Sequence, residues 1–255
     1  DLTSLACIPA GEEAKFYFKA RDTGVLCGLQ AAVEAIWQMD PDAMIKCHMG
    51  DGDAVAPGDI IATVNGQARA LLAAERIALN FLGRMSGIAT FTKRYVDAVS
   101  GTRARIAHTR KTTPGLRAFE LQAVQAGGGA MHRFGLDDAI LIKDNHVAVC
   151  GSVGAAVRAA RQHAGHMTRI AVEVDRLDQL AEAIKAGAES VLLDNFTLDD
   201  LRAAVAQASG QVTLEASGGV NLDTVRAIAG TGVDIISVGA LTHSAPNFDI
   251  GLDWD

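Results

Sequence analysis

The chain has 255 residues, 49% of them hydrophobic, and a formal net charge of -7, with a pI of about 5.5 and a mean hydropathy of +0.18. That supplies the apolar material of a soluble globular core, while no uninterrupted apolar run approaches the roughly 20 residues that a membrane helix needs. The acidic balance and the low aromatic content, 5%, argue against general nucleic-acid binding, which requires a broad basic face.

The N-terminus DLTSLACIPAGEE carries neither a basic nor an apolar leader segment, so a cytoplasmic protein is expected. Alternating segments follow at Ala14 to Ala20 and Gly24 to Leu29, then the turn-rich GDGDAVAPGDIIATVNG. Together they predict a small sheet domain. The loop GDGDAVAPGD lacks the later Glu of a calcium-binding EF-hand loop, so turn chemistry explains it better. A long helix is predicted from about Ala68 to Val99, with Leu71, Leu72, Ile77, Phe81, Leu82 and Met85 as its apolar side and a break near Gly83 or Gly87. The boundary of this first domain, residues 1–100, falls near Ser100 and Gly101, and residues 246–255 are expected to return to it.

From about residue 102 the pattern changes to alternating strands and helices, giving a second domain over 101–245. Six strands are predicted: Arg103 to His108, Ala139 to Asp144, Arg169 to Asp175, Ser190 to Asp194, Val212 to Ala216 and Asp234 to Val238. Helix starts are marked by Thr113 before Pro114, Asp175 before Leu177, Thr197 and Asn221. Repeated βα units predict parallel strands with right-handed crossovers. Six strands fall short of the eight of a closed barrel, so an open, incomplete α/β barrel is expected. The four cysteines Cys7, Cys27, Cys47 and Cys150 are widely spaced with no CxxC, which predicts free thiols rather than a zinc or dithiol site.

The chemistry concentrates between Thr109 and His146, in TRKTTPGLRAFELQAVQAGGGAMHRFGLDDAILIKDNH. Each predicted strand of the second half ends in polar groups: Arg110 and Lys111, Lys143 and Asp144, Glu173 and Asp175, Asp194 and Asn195, Glu215 and Ser217, then Gly239. Parallel strands gather such ends on one face. Arg110, Lys111, Arg133 and Lys143 form a positive half suited to carboxylates or phosphates, while Arg117 and Arg105 read as solvated surface residues. Glu173 and Asp194 form a negative half, suited to Mg²⁺ shared with an anionic ligand or to an oxocarbenium-like carbon. The glycines of SGGV and VGALTHS let backbone N–H groups approach a phosphate, with Ser217 and His243 as side-chain donors. His163 and His166, at a predicted helix end, read as surface residues.

These motifs, TRKTTPGLR, GGGAMHRFGL, LIKDNH, VEVD, LLDN, EASGGVN and SVGALTHSAP, in that order, resemble the quinolinate phosphoribosyltransferase (nicotinate-nucleotide pyrophosphorylase) family, and AERIALNFLGRMSGIAT and DGDAVAPGD resemble its N-terminal domain. The resemblance implies an N-terminal α/β sandwich, an open α/β barrel and a homodimer whose active site lies at the subunit interface. It implies that Arg76 of the second copy, Arg110, His132, Arg133 and Lys143 hold quinolinate. Lys111, Ser217, Gly218, Gly239 and His243 would hold phosphoribosyl pyrophosphate, with Glu173 and Asp194 at Mg²⁺. Lys111, Lys143, Glu173 and Asp194 are the expected catalytic set. The implied reaction joins the pyridine nitrogen to the anomeric carbon, expels pyrophosphate and releases CO₂, giving nicotinate mononucleotide for NAD synthesis. The chain departs from the family pattern in starting at DLTS, without a preceding helix, and in carrying Met131 where Asn is expected. Alternatives are a related phosphoribosyltransferase with another acceptor and a barrel lyase using Lys143 as a Schiff-base amine.

Overall fold

The computed structural model describes residues 1–254; Asp255, the last residue of the 246–255 stretch, lies outside them. In chain order the elements are α1 (Leu2–Cys7), β1 (Glu13–Ala20), β2 (Gly24–Val25), α2 (Leu29–Met39), β3 (Met44–Cys47), β4 (Ala54–Val55), β5 (Ile60–Gln67), α3 (Ala68–Ala98), β6 (Arg105–Ala107) and α4 (Arg117–Ala126). They continue as β7 (Ile140–Ile142), α5 (Asp144–Cys150), α6 (Val153–His163), β8 (Ile170–Val174), α7 (Leu177–Ala186), β9 (Ser190–Asp194), α8 (Leu198–Ala208), β10 (Thr213–Ser217), α9 (Val225–Ala229), β11 (Ile235–Ser237), α10 (Ala240–His243) and β12 (Ile250–Trp254). The chain divides into two units: Asp1–Lys93, Thr113–Gly128 and the segment from Ser244 onward form the first, Arg94–Thr112 and Gly129–His243 the second.

The first unit is built on an antiparallel sheet in the order β12-β1-β5-β3. Its apolar face supplies Phe16, Phe18, Ile61 and Val64 to a buried cluster with Ile36 of α2, Leu71 and Leu82 of α3, and Phe248. Burying each such side chain contributes about 1.5–3 kcal/mol. The stretch Gly24 to Leu29, read as a strand, yields only the two-residue β2 before α2 begins, because Cys27 and Leu29 spend their N–H groups on Ser86 Oγ and Asp51 rather than on a ladder. Residues 113–128 join this unit through Glu120, whose carboxylate is fully buried and takes Arg84 Nη2 at 2.6 Å, Thr113 N at 3.0 Å and Thr113 Oγ1 at 2.8 Å. Thr113 therefore serves Glu120 rather than capping a helix, and α4 starts at Arg117.

No break interrupts α3 at Gly83 or Gly87. These glycines admit a neighbour: a Cβ on Gly87 would lie 2.0 Å from the Pro246 carbonyl oxygen, and one on Gly83 2.8 Å from Asn247 Nδ2. The four cysteines are free, and burial, followed by the Asp51 charge, pushes the Cys27 thiol far above its usual range.

The second unit is a six-stranded parallel sheet, β6-β11-β10-β9-β8-β7, whose two end strands do not pair with each other, leaving the barrel open. One face is aliphatic: Ile106, Ile170, Val172, Val191, Leu193, Leu214 and Ile236 are buried, and α6 to α9 pack along the sheet. The other face is mixed, and one registered row runs Glu173, Leu192, Glu215, Ile235, Arg105 across five strands. Period-two alternation thus divides the apolar support from the chemistry.

Replacing Gly87 with Ala is expected to destabilise the protein by about 1–3 kcal/mol, as overpacking does, read as a lower urea midpoint. An unchanged midpoint would show that the close approach at Pro246 is not tight.

Candidate active site

Because the six strands run parallel, their C-terminal ends share one side of the sheet. Arg110 and Lys111 follow β6, and Lys143 follows β7 as the N-cap of α5. Glu173 lies near the end of β8, Asp194 and Ser217 close β9 and β10 in register with each other, and Gly239 and His243 follow β11. His132 and Arg133 sit in the segment before β7. Among the expected site residues only Arg76 belongs to the first unit, where it is exposed on α3.

The opposite charges meet directly. Lys143 Nζ donates to Glu173 Oε2 in an ion pair whose carboxylate is largely buried. Lys143 is thereby engaged as a cation, whereas Schiff-base chemistry uses a free amine. The His146 ring accepts the Lys143 backbone N–H at 3.0 Å, so this histidine fastens the strand end rather than offering itself to a ligand. The Arg133 guanidinium donates to the Ala139 carbonyl at 3.3 Å, while its Nε is buried without a hydrogen-bond partner. Burial, then the neighbouring Arg110 cation, holds Arg133 below the ordinary arginine value. A partly buried cation with a buried donor to spare is prepared for an anion.

Two histidines set this cluster. His108 is fully buried; its Nε2 accepts the His132 N–H at 2.9 Å and its Nδ1 lies 3.2 Å from the Thr109 carbonyl oxygen. An amide can only donate, so Nδ1 carries the hydrogen and the ring is neutral. It ties the end of β6 to the His132–Arg133 segment. His132 Nδ1 in turn accepts the Arg133 N–H at 2.8 Å, which leaves its Nε2–H to face Glu215 Oε1, 3.4 Å away. That separation satisfies the ion-pair distance but not hydrogen-bond geometry, and Glu215 Oε1 has no hydrogen bond. Sequence reasoning missed His108. Its only signal was a histidine closing the run RIAH immediately before the cationic motif.

The phosphate-type loops are shaped by local backbone. Gly218 adopts φ 97°, and a Cβ there would lie 2.1 Å from Asn195 Oδ1, so only glycine fits. Asn195, itself at φ 56°, donates its backbone N–H to the Ser217 carbonyl at 2.9 Å and its side-chain amide to Asp194 at 2.9 Å. Gly239 lies against His243 Nε2 and Lys111 Cδ, each 3.2 Å from where a Cβ would stand. Thr242, buried, donates to the Lys111 carbonyl at 2.7 Å and so holds the loop after β6 against the one after β11. Met131 is half-exposed, beside His132.

The Glu173 and Asp194 carboxylates stand on one face of adjacent strands. Among the described residues no group of three or more His, Cys, Asp or Glu could hold a metal by itself. Such a donor pair suits a hard cation that takes its remaining ligands from water and a bound phosphate.

Removing the His108 ring should strand the His132 N–H; His108→Ala is expected to cost about 1–3 kcal/mol of stability, and His108→Asn, which retains an acceptor, less. Equal urea midpoints for the two variants would contradict the strut.

Comparison with known proteins places the chain. Models of the quinolinate phosphoribosyl transferase N-terminal and C-terminal domains match residues 1–86 and 88–253. Nicotinate-nucleotide pyrophosphorylase (carboxylating) of Mycobacterium leprae (strain TN) is 45% identical over 259 residues, covering 99% of this chain and 90% of that protein. Quinolinate phosphoribosyltransferase (decarboxylating) 2a, mitochondrial, of Nicotiana tabacum is 38% identical over 273 residues, covering 100% of this chain and 77% of that protein. The solved nicotinate-nucleotide pyrophosphorylase from Francisella tularensis superposes with a TM-score of 0.96 at 39% identity, covering 99% of this chain and 89% of that one. Two domain matches that together span nearly the whole sequence, on a shared fold, make this chain a member of the quinolinate phosphoribosyl transferase family.

Proposed function

We propose that the chain transfers the phosphoribosyl group of phosphoribosyl pyrophosphate to quinolinate and decarboxylates the adduct, giving nicotinate mononucleotide, pyrophosphate and CO₂ for NAD biosynthesis. Besides family membership, one observation carries this reading: cations able to receive a dicarboxylate and glycine loops able to receive phosphates end consecutive parallel strands around the Lys143–Glu173 pair. Arg110, His132, Arg133 and Lys143 would take the two carboxylates of quinolinate, with Arg76 from a second copy completing the pocket in a homodimer. The exposure of Arg76 on α3 is compatible with that role. Lys111, Ser217, Gly218, Gly239 and His243 would take the phosphates.

The chemistry needs no covalent enzyme intermediate. The pyridine nitrogen forms a bond to the anomeric carbon as the bond to pyrophosphate oxygen breaks and the electron pair leaves with pyrophosphate. Glu173 and Asp194 offset the positive charge that develops on the ribose ring. The cationic cluster aligns two anions that would otherwise repel each other. The carbon–carboxylate bond next to the quaternised nitrogen then breaks; CO₂ departs, the pair left on carbon is stabilised by the ring cation, and a proton fills it. Mg²⁺, held in part by Glu173 and Asp194, would supply charge neutralisation for the leaving pyrophosphate. We place this work in the cytoplasm, in keeping with a chain in which no described helix is long and apolar enough to cross a membrane.

Purified protein given quinolinate, phosphoribosyl pyrophosphate and Mg²⁺ should yield nicotinate mononucleotide by mass spectrometry and lose turnover on chelation. Arg133→Ala should lower kcat/KM by roughly 10- to 100-fold or more, the equivalent of one charge-assisted contact, while thermal unfolding shifts little. Full turnover by the Arg133 variant would put the carboxylate pocket elsewhere.

A further inference from the structure

Arg133 opens a loop, residues 133–139, that leads into β7 and is held by little apolar packing: Phe134 and Leu136, its large apolar side chains, are 51% and 71% exposed. Hydrogen bonds close it instead. Asp138 Oδ2 accepts the Phe134 N–H at 2.6 Å, and its Oδ1 accepts the Gly135 N–H at 3.0 Å. Because the acceptor is ionised, these are hydrogen bonds of the stronger, charge-assisted kind. The turn they form carries the chain back until the Ala139 carbonyl accepts Arg133 Nη1 at 3.3 Å. On the preceding side, the Arg133 N–H is taken by His132 Nδ1 at 2.8 Å, and the His132 N–H by His108 Nε2 at 2.9 Å. Arg133 is therefore seated from both directions, by the His108 strut before it and by an Asp138 clasp after it.

The charges point the same way. Burial, then the Arg110 cation, lowers the Arg133 guanidinium, and the Asp138 carboxylate opposes both. Desolvation raises the Asp138 carboxyl, but the backbone amides of Phe134, Gly135 and Asp138 itself, with the Arg133 charge, outweigh it and hold the group below the ordinary aspartate value. Yet no ion pair joins Asp138 to Arg133 among the described residues, since each carboxylate oxygen is tied to a backbone amide. A carboxylate free to swing would compete with a substrate carboxylate for the guanidinium. One that is tied down supports the cation through its field and leaves the guanidinium donors open. The adjacent Asp137 carries the same charge but makes no hydrogen bond or ion pair among the described residues.

We propose, on the reading of Arg133 as a quinolinate ligand, that Asp138 is a positioning residue for dicarboxylate recognition: by clasping the 133–139 loop it aims Arg133 at the acceptor substrate without neutralising it. Steady-state kinetics of the full chain test this with Asp138→Ala, Asp138→Asn and Asp137→Ala. Asp138→Ala should raise KM for quinolinate at least about tenfold, while kcat and KM for phosphoribosyl pyrophosphate stay within about threefold and thermal unfolding shifts little. Asp138→Asn, which retains one acceptor oxygen, should fall between that variant and the wild type. Asp137→Ala removes an equal charge without touching the clasp and should match the wild type. An unchanged quinolinate KM in Asp138→Ala, equal rises in KM for both substrates, or an equal effect of Asp137→Ala would overturn the positioning role alone. Absence of quinolinate turnover by the wild-type chain would overturn the functional reading and the positioning role with it.

Discussion

Parallel pairing is the constraint from which the rest follows. Once β6 to β11 run in one direction, every strand must end on the same side, and residues more than a hundred positions apart, such as Lys111 and Thr242, are brought into contact there. The pleat adds a second rule, because alternate residues face opposite ways. Ile170, Val172 and Val174 go to the buried support, and Glu173, lying between two of them, is delivered to the other face. Sheet stability and site construction are thus two readings of the same five residues.

The site is held by neutral hydrogen-bonded struts as much as by charge. His108, buried and uncharged, locks the segment that carries His132 and Arg133, while Asn195 and Gly218 lock the loop after β10. Such struts let like charges remain close: burial, then the neighbouring Arg110 cation, holds Arg133 below the ordinary arginine value. A ligand bearing two carboxylates relieves that repulsion. This is preorganisation in the sense that the protein meets the cost of assembling the cations during folding, before substrate arrives.

Much of this was legible in the sequence. The runs around Ile170 to Val174 and Ser190 to Asp194 are β-branched or aliphatic, bounded by turns and followed by helical periodicity, so strands, direction and rim could be read together. Thr197 caps α8 as its spacing suggested. What failed was decided by distant partners: α2 was hidden because GVLCGL alternates like a strand, while its backbone groups are taken by Asp51 and Ser86. Glycines in α3 looked like breaks because sequence does not reveal that the Pro246 carbonyl approaches Gly87 and the Asn247 side chain approaches Gly83. Arg105 is exposed, as its reading as a solvated residue expected, whereas the approach of His132 Nε2 to Glu215, 3.4 Å away, was visible only in the coordinates. Short-range rules locate elements; unpaired groups become visible only in three dimensions.

The most direct test of the rim is a crystal structure of this chain with quinolinate and a non-reactive phosphoribosyl pyrophosphate analogue. The account predicts density for the dicarboxylate against Arg110, Arg133 and Lys143, with the analogue's phosphates at Lys111, Ser217 and Gly239. Substrate density lying away from the C-terminal strand ends would contradict it.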